Sequence, residues 1–237
     1  MGSGWGTLGA PQGQMQPLPL LLLFLPVPCR TAMCVGKCSR IVGPCLLVLG
    51  TLSVLASVLL LFPAGASRYL LQGHLGRHAR ALPGLWGGGI AVLLAATQVT
   101  ALGWQRPGCS GRHSALLSVL LSKLALLGAA ACFVLCGVGL STGPLCLHNS
   151  TALGPGHAAL WGYPFLDPID LGAGARAENY LYNRSTWSTC LEPEGIVAWH
   201  VALFSLLLLI SAAEMLLALL QILNGLLGCL CGSCDGK

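Results

Sequence analysis

Charge is what this sequence has least of. Lys, Arg, Asp and Glu together make up 8% of the chain, where a water-soluble domain carries about 25%. Set against 55% apolar residues, that scarcity excludes an ordinary soluble globule. The 12 basic and 7 acidic residues are spread along the chain, so the small positive excess forms no nucleic-acid footprint and no nucleic-acid partner is expected. Catalytic signatures are missing as well. There is no HExxH and no phosphate-cradling GxxxxGK followed by Ser or Thr. His74, His113, His148, His157 and His200 form no recognised metal-ligand motif with Cys or carboxylates, so neither a metal nor a cofactor is implied. The chain is not expected to be an enzyme.

What the chain has instead is long apolar runs. A helix needs about 20 apolar residues to cross the hydrocarbon core of a bilayer. Four runs qualify, at 42–62, 85–104, 115–140 and 199–227, the last approached through an apolar lead from Ile196. Each must be helical, because an isolated strand in lipid leaves its backbone groups unpaired. The expected fold is an all-α integral membrane protein, a four-helix transmembrane bundle with a small disulfide-closed extracellular loop domain. Between and beyond the spans lie a terminal segment 33–41, a small loop 63–84, a short loop 105–114, a large loop 141–198 and a tail 228–237. Residues 1–32 stand apart. Pro17 to Pro28 resembles the apolar core of a signal peptide but lacks a basic flank and is bounded by prolines. This segment is expected to be a disordered or weakly membrane-associated extension, with Met33 an alternative start.

The large loop decides orientation. It contains two N-glycosylation sequons, Asn149-Ser150-Thr151 and Asn183-Arg184-Ser185, and two isolated cysteines, Cys146 and Cys190. Both features belong on the luminal or extracellular side of a membrane. With four spans, both termini then face the cytosol. Basic residues barely discriminate: Arg30, Lys37, Arg40, Arg106, Arg112 and Lys237 lie on the terminal side, and Arg68, Arg77, Arg80, Arg176 and Arg184 on the other. On this topology all the tyrosines fall outside, so no cytosolic tyrosine-based sorting signal is present.

The remaining cysteines divide by position. Cys45, Cys132 and Cys136 lie inside apolar runs. Cys29, Cys34, Cys38, Cys109, Cys229, Cys231 and Cys234 cluster near span ends on the terminal side, where thiols stay reduced. Of these, Cys34, Cys38, Cys109, Cys229, Cys231 and Cys234 are the candidates for lipid attachment. Cys146 and Cys190 have no competing outer cysteine and are expected to pair, closing a loop worth about 4 kcal/mol in the chain-entropy account; the alternative is two free thiols.

Two charges interrupt the spans, Lys123 in the third and Glu214 in the fourth. A charge in lipid normally faces protein and finds a partner. At about 1.5 Å per residue the two lie at similar depth, so an ion pair locking span three to span four is expected. A proton or ion path is the functional alternative, and snorkelling of Lys123 to the interface is a third. Small residues recur every four positions at Gly87, Ala91 and Ala95, at Ala125 and Ala129, at Gly128 and Cys132, and at Ser53 and Ser57. That spacing lets helix backbones approach, either within one bundle or between copies, so a homo-oligomer stays open. Gln221 and Asn224 are expected to bond across helices or cap the last turn. In the large loop, Trp161-Gly162-Tyr163-Pro164-Phe165 and Tyr180-Leu181-Tyr182 are either a partner surface or the loop's own small core and interfacial belt. In the small loop, Arg68, His74, Arg77, His78 and Arg80 form either an acidification sensor or a solvated patch.

The motifs together resemble one known family. Met33-Cys34-Val35-Gly36-Lys37-Cys38 looks like the opening of the transmembrane 4 L-six family, and Leu85-Trp86-Gly87-Gly88-Gly89 like its second-span entry. Gly143-Pro144-Leu145-Cys146 and Trp187-Ser188-Thr189-Cys190 with Glu192-Pro193 resemble the borders of its large loop. Trp199, Leu203-Phe204-Ser205, Gln221, Asn224-Gly225 and Gly228 follow its fourth span. Leu75 to Ala79 and Asn179 to Tyr182 look most like a single branch of it. True tetraspanins differ, with a Cys-Cys-Gly and at least four cysteines in the large loop. The resemblance implies a non-enzymatic adaptor of the plasma membrane or endosomal membranes. Such an adaptor associates laterally with integrins, receptors and other membrane proteins in adhesion, growth or motility signalling. A transporter or channel component using Lys123 and Glu214 is the alternative. Two departures stand out: the extension before Met33, and a single cysteine, Cys109, in the short loop where relatives often have several.

Overall fold

The computed structural model describes residues 32–104, 112–149, 159–166 and 179–232. The extension before Ala32, Cys109, Cys234 and the last two residues of the Asn149 sequon lie outside the described residues. Four stretches are long and apolar enough to cross a membrane: Cys38–Leu60, Arg77–Trp104, Leu116–Thr142 and Ile196–Leu227.

The first helix, α1, runs Ala32–Leu60 and carries Pro44 inside it. It starts ten residues before the expected span, because Ala32 to Ile41 continue the same helix past the apolar run. A 3-10 turn at Pro63–Gly65 and two short helices, α2 (Arg68–Leu71) and α3 (Arg77–Arg80), carry the chain across the loop end of the bundle. The second span is built in pieces. Leu82 adopts a left-handed backbone at φ 48°, which ends α3, and Pro83 restarts a helix with its fixed φ at the first position. The pieces are α4 (Pro83–Leu85), a π-helical turn at Trp86–Ala91, and α5 (Val92–Trp104). Long helices α6 (Arg112–Thr142) and α7 (Ile196–Gly232) complete the bundle. The most extensive packing joins α6 to α7, and α1 to both α5 and α7.

The bundle is small-residue inside and leucine-rich outside. Ser53, Ser57, Ala95, Ala125, Ala129, Cys132 and Cys136 are fully buried, whereas Leu127, Leu209 and Leu216 are exposed. Lipid tails are as apolar as leucine, so nothing drives leucine inward, and close backbone approach favours small side chains between helices. The crossing of the π turn with α6 shows this directly. A Cβ at Gly87 would lie 2.5 Å from the Gly128 carbonyl oxygen, and one at Gly128 would lie 2.7 Å from that of Gly87. The small-residue spacing in these segments therefore serves packing within the bundle. Larger buried side chains such as Leu46, Phe204 and Leu207 fill the remaining space.

At the terminal end, polar side chains hold three helices together. Gln221 Nε2 donates to Ser39 Oγ at 3.2 Å and lies 3.5 Å from Ser118 Oγ, and Asn224 Nδ2 donates to Ser39 Oγ at 3.1 Å. All four side chains are buried. Nearby, Arg40 Nε donates to the Gly103 carbonyl at 2.7 Å, tying α1 to the end of α5.

Candidate functional site

The described part of the large loop forms a cap over the opposite end of the bundle. Helix α6 stops at Gly143, whose φ of 80° suits glycine, and the chain turns into strand β1 (Cys146–Asn149). This pairs antiparallel with β2 (Ala159–Gly162), Cys146 opposite Gly162 and Asn149 opposite Ala159. The returning chain adds to the free edge of β1: Leu147 N–H donates to the Glu192 carbonyl at 2.9 Å, and Leu191 N–H to that of Leu147 at 2.8 Å. Cys146 and Cys190 form the expected disulfide, joining positions 44 apart with Cα atoms 5.5 Å apart. It fixes the end of the loop to the mouth of α6 just before α7 begins.

Aromatic rings make the interior of the cap. Tyr180 is buried, stacks on Phe165 with centroids 4.5 Å apart, and donates its hydroxyl to the carbonyl of Leu140. Burial pushes the Tyr180 phenol up to about 12. Trp187 Nε1 donates to the Tyr180 carbonyl at 2.9 Å. A core of Cys146, Tyr180, Ile196 and Val197 continues from the cap into the start of α7.

The small loop is clamped beneath. His74 stacks on Trp161 with centroids 4.1 Å apart and planes within 2° of parallel, and the buried ring of Tyr69 meets Trp161 edge-on at 6.2 Å. Arg77 N–H donates to the Tyr163 hydroxyl at 3.0 Å. The loop aromatics thus serve the cap's own packing, with one exception. Tyr182 is 90% exposed. Leu160, Leu166 and Leu191 also face outward from the cap. In the small loop Arg68, Arg77 and Arg80 lie toward solvent, while His74 is occupied by its stack.

The sequon asparagines sit in different settings. Asn149 is exposed at the end of β1. Asn183 caps a 3-10 helix, Arg184–Thr189. Its Oδ1 accepts from the Ser185 N–H at 3.1 Å and from the Ser185 hydroxyl at 2.5 Å. Among the lipidation candidates, Cys34 and Cys38 lie in the first turns of α1, with Cys38 half-buried, and Cys229 and Cys231 lie in the last turns of α7.

The expected Lys123–Glu214 pair is not formed. Lys123 is exposed on the outer face of α6, while Glu214 is fully buried and neither of its carboxyl oxygens has a hydrogen-bond partner. Depth counted along the helices gives the level of each residue but not the direction it faces. The buried side of α6 is Ser118, Ser122, Ala125, Ala129, Cys132 and Cys136. Lys123 follows Ser122 by one residue, about 100° around the helix. The pattern of small residues in α6 carried that information. The π turn, which places Gly88 beside Glu214, left no mark in the sequence beyond its glycines.

Four apolar helices bound to a small disulfide-closed cap define a multi-pass membrane protein. The family model described as "L6 membrane protein" matches residues 33–235, and the chain belongs to that family. Transmembrane 4 L6 family member 19 of Homo sapiens is 47% identical over 206 residues, covering 84% of this chain and 93% of the relative. Member 5 of Bos taurus is 38% identical over 211 residues, covering 86% of this chain and 97% of the relative. Member 1 of Homo sapiens is 37% identical over 211 residues, covering 85% and 96%. No solved structure matches the chain.

Proposed function

We propose that this protein is a non-enzymatic membrane adaptor that associates laterally with other membrane proteins, and that the cap makes the contact. The observation that carries this reading is the division of labour in the cap. Its inner rings hold it to the bundle, and Tyr182, Leu160, Leu166 and Leu191 are left facing outward on a rigid frame. Exposed apolar and aromatic side chains on a fixed scaffold suit recognition of a partner surface. The cap stands outside the cell or in the endosomal lumen, with both termini cytosolic, glycans on Asn149 and Asn183, and acyl chains on the candidate thiols Cys34, Cys38, Cys109, Cys229, Cys231 and Cys234. Integrins and receptors are the partner classes that the family resemblance suggests.

Cross-linking mass spectrometry on intact cells tests the adaptor reading. Cross-links from the cap to extracellular segments of other membrane proteins are expected, and they should weaken in a Tyr182→Ala, Leu166→Ser variant. Cross-links confined to the chain itself would sink it. The transport alternative relied on Lys123 and Glu214 acting together, and with the two side chains facing apart it has less support than the adaptor.

A further inference from the structure

Glu214 occupies a setting that neither lateral association nor helix packing explains. It is 0% exposed, and both its carboxyl oxygens lack a hydrogen-bond partner. Three elements besides α7 close on it. A Cβ at Gly88 would lie 2.9 Å from Glu214 Oε2 and closer still to Ser53 Oγ, so the carboxyl group rests against the glycine backbone of the π turn with the α1 hydroxyl beside it. Ser53 already donates to the Gly84 carbonyl at 3.1 Å. Ser57, one turn further along α1, is buried and also lacks a partner. From α6, Cys132 packs against Gly87 in the same turn, its sulfur 3.9 Å from that of Cys136. Among the described residues, the titratable group acting on Glu214 is the Cys132 thiol. Among the described residues no cation faces it: Lys123 and Arg40 are both exposed.

An isolated carboxylate so deeply buried is too costly to persist. It must take up a positive charge, and among the described residues no basic side chain is placed to supply it. The approach of Gly88 to Oε2 leaves the carboxyl closely confined, which favours the smallest cation. A π turn also interrupts the regular helical ladder, a feature that recurs at functional sites. We propose that Glu214 is a proton-binding site at the centre of the bundle, holding a neutral carboxylic acid against the π-helical turn Trp86–Ala91. Because α1, α7 and the π turn together build the site, taking up or releasing the proton is linked to how those elements pack. This inference is independent of the adaptor reading and stands or falls separately.

Infrared difference spectra of the full chain in lipid vesicles at neutral pH, wild type minus Glu214→Gln, test it. Gln has the shape of the neutral acid, so the variant is expected to fold. The expected result is a protonated carboxylic-acid carbonyl band, shifted in heavy water and missing from the variant. Carboxylate bands in its place would overturn the proposal. So would an acid band present in a bulky organic cation but lost when sodium is supplied, which would make the site a sodium site. A second variant, Gly88→Ala, keeps Glu214 and crowds its carboxyl. It should shift the acid band, and a band unmoved by that methyl would separate Glu214 from the π turn and refute the placement.

Discussion

Gly87 and Gly128 meet backbone to backbone, each so close to the other's carbonyl oxygen that a single added methyl would collide with it. Overpacking at such a crossing costs about 1–3 kcal/mol. Gly128→Ala is expected to lower the thermal stability of the protein in detergent, and Gly128→Leu to lower it further. Gly137, on the same helix with nothing within 4 Å of its Cβ position, is the control. Gly137→Ala should be neutral or stabilise by about 0.5 kcal/mol through reduced backbone freedom.

Removing the Cys146–Cys190 bond should loosen the cap and spare the bundle. A double Ser variant is expected to lose about 3–4 kcal/mol of cap stability by the loop-entropy argument. Limited proteolysis of vesicle-embedded protein reads this as faster cutting within 141–195 and unchanged resistance in the spans. Equal loss of resistance in both parts would show that cap and bundle unfold as one.

The His74–Trp161 stack should set how firmly the small loop is held. An aromatic pair of this kind contributes about 0.5–1.5 kcal/mol beyond its buried area. Trp161→Ala is expected to speed amide hydrogen exchange through α2 and α3, with little change in α6 or α7.

Glycan and cap functions of Asn183 can be separated. The helix cap uses Oδ1, whereas a glycan attaches to Nδ2. Ser185→Ala removes the sequon and keeps the bond to the backbone N–H, so it should abolish glycosylation at this position with little loss of stability. Asn183→Ala removes both, and should cost about 1 kcal/mol more in local stability. Gel mobility after enzymatic deglycosylation, paired with exchange rates over 184–189, distinguishes the two variants.

Alkali should open the cap at Tyr180. Burial raises its phenol from the ordinary value of 10.0 to about 12. The folded state therefore holds the proton more tightly than the unfolded state does, and stability rests on the neutral phenol. That contribution is intact below the ordinary value of 10.0 and is lost as pH rises through about 12. Tyrosinate absorbance should show a late titration step that coincides with cap loosening, and Tyr180→Phe should remove that step.

The four helices were legible because the bilayer imposes length and apolarity on each span, and the disulfide because only two cysteines shared the loop. The segmented second span was not. Leu82 takes a left-handed backbone that no residue preference announces, and Trp86-Gly87-Gly88-Gly89 reads equally well as a plain helix entry. Lys123 and Glu214 were legible as charges at similar depth, but their failure to pair was not legible from depth alone, because the direction a side chain faces depends on helix rotation. The aromatics of the cap were visible as a set. Which of them faced inward depended on contacts with Leu140, His74 and Arg77 that no local pattern encodes.

Tyr182 and Asn183 are adjacent in sequence, and the tyrosine is the most open ring of the cap. A branched sugar on Asn183 would be anchored one residue from that ring and is large enough to reach over it. Incomplete occupancy of this one sequon would therefore divide the protein into two coexisting surface forms, one with the ring screened and one with it bare. Cells could then vary the share of contact-competent molecules through their glycosylation machinery, without changing how much of the chain they make.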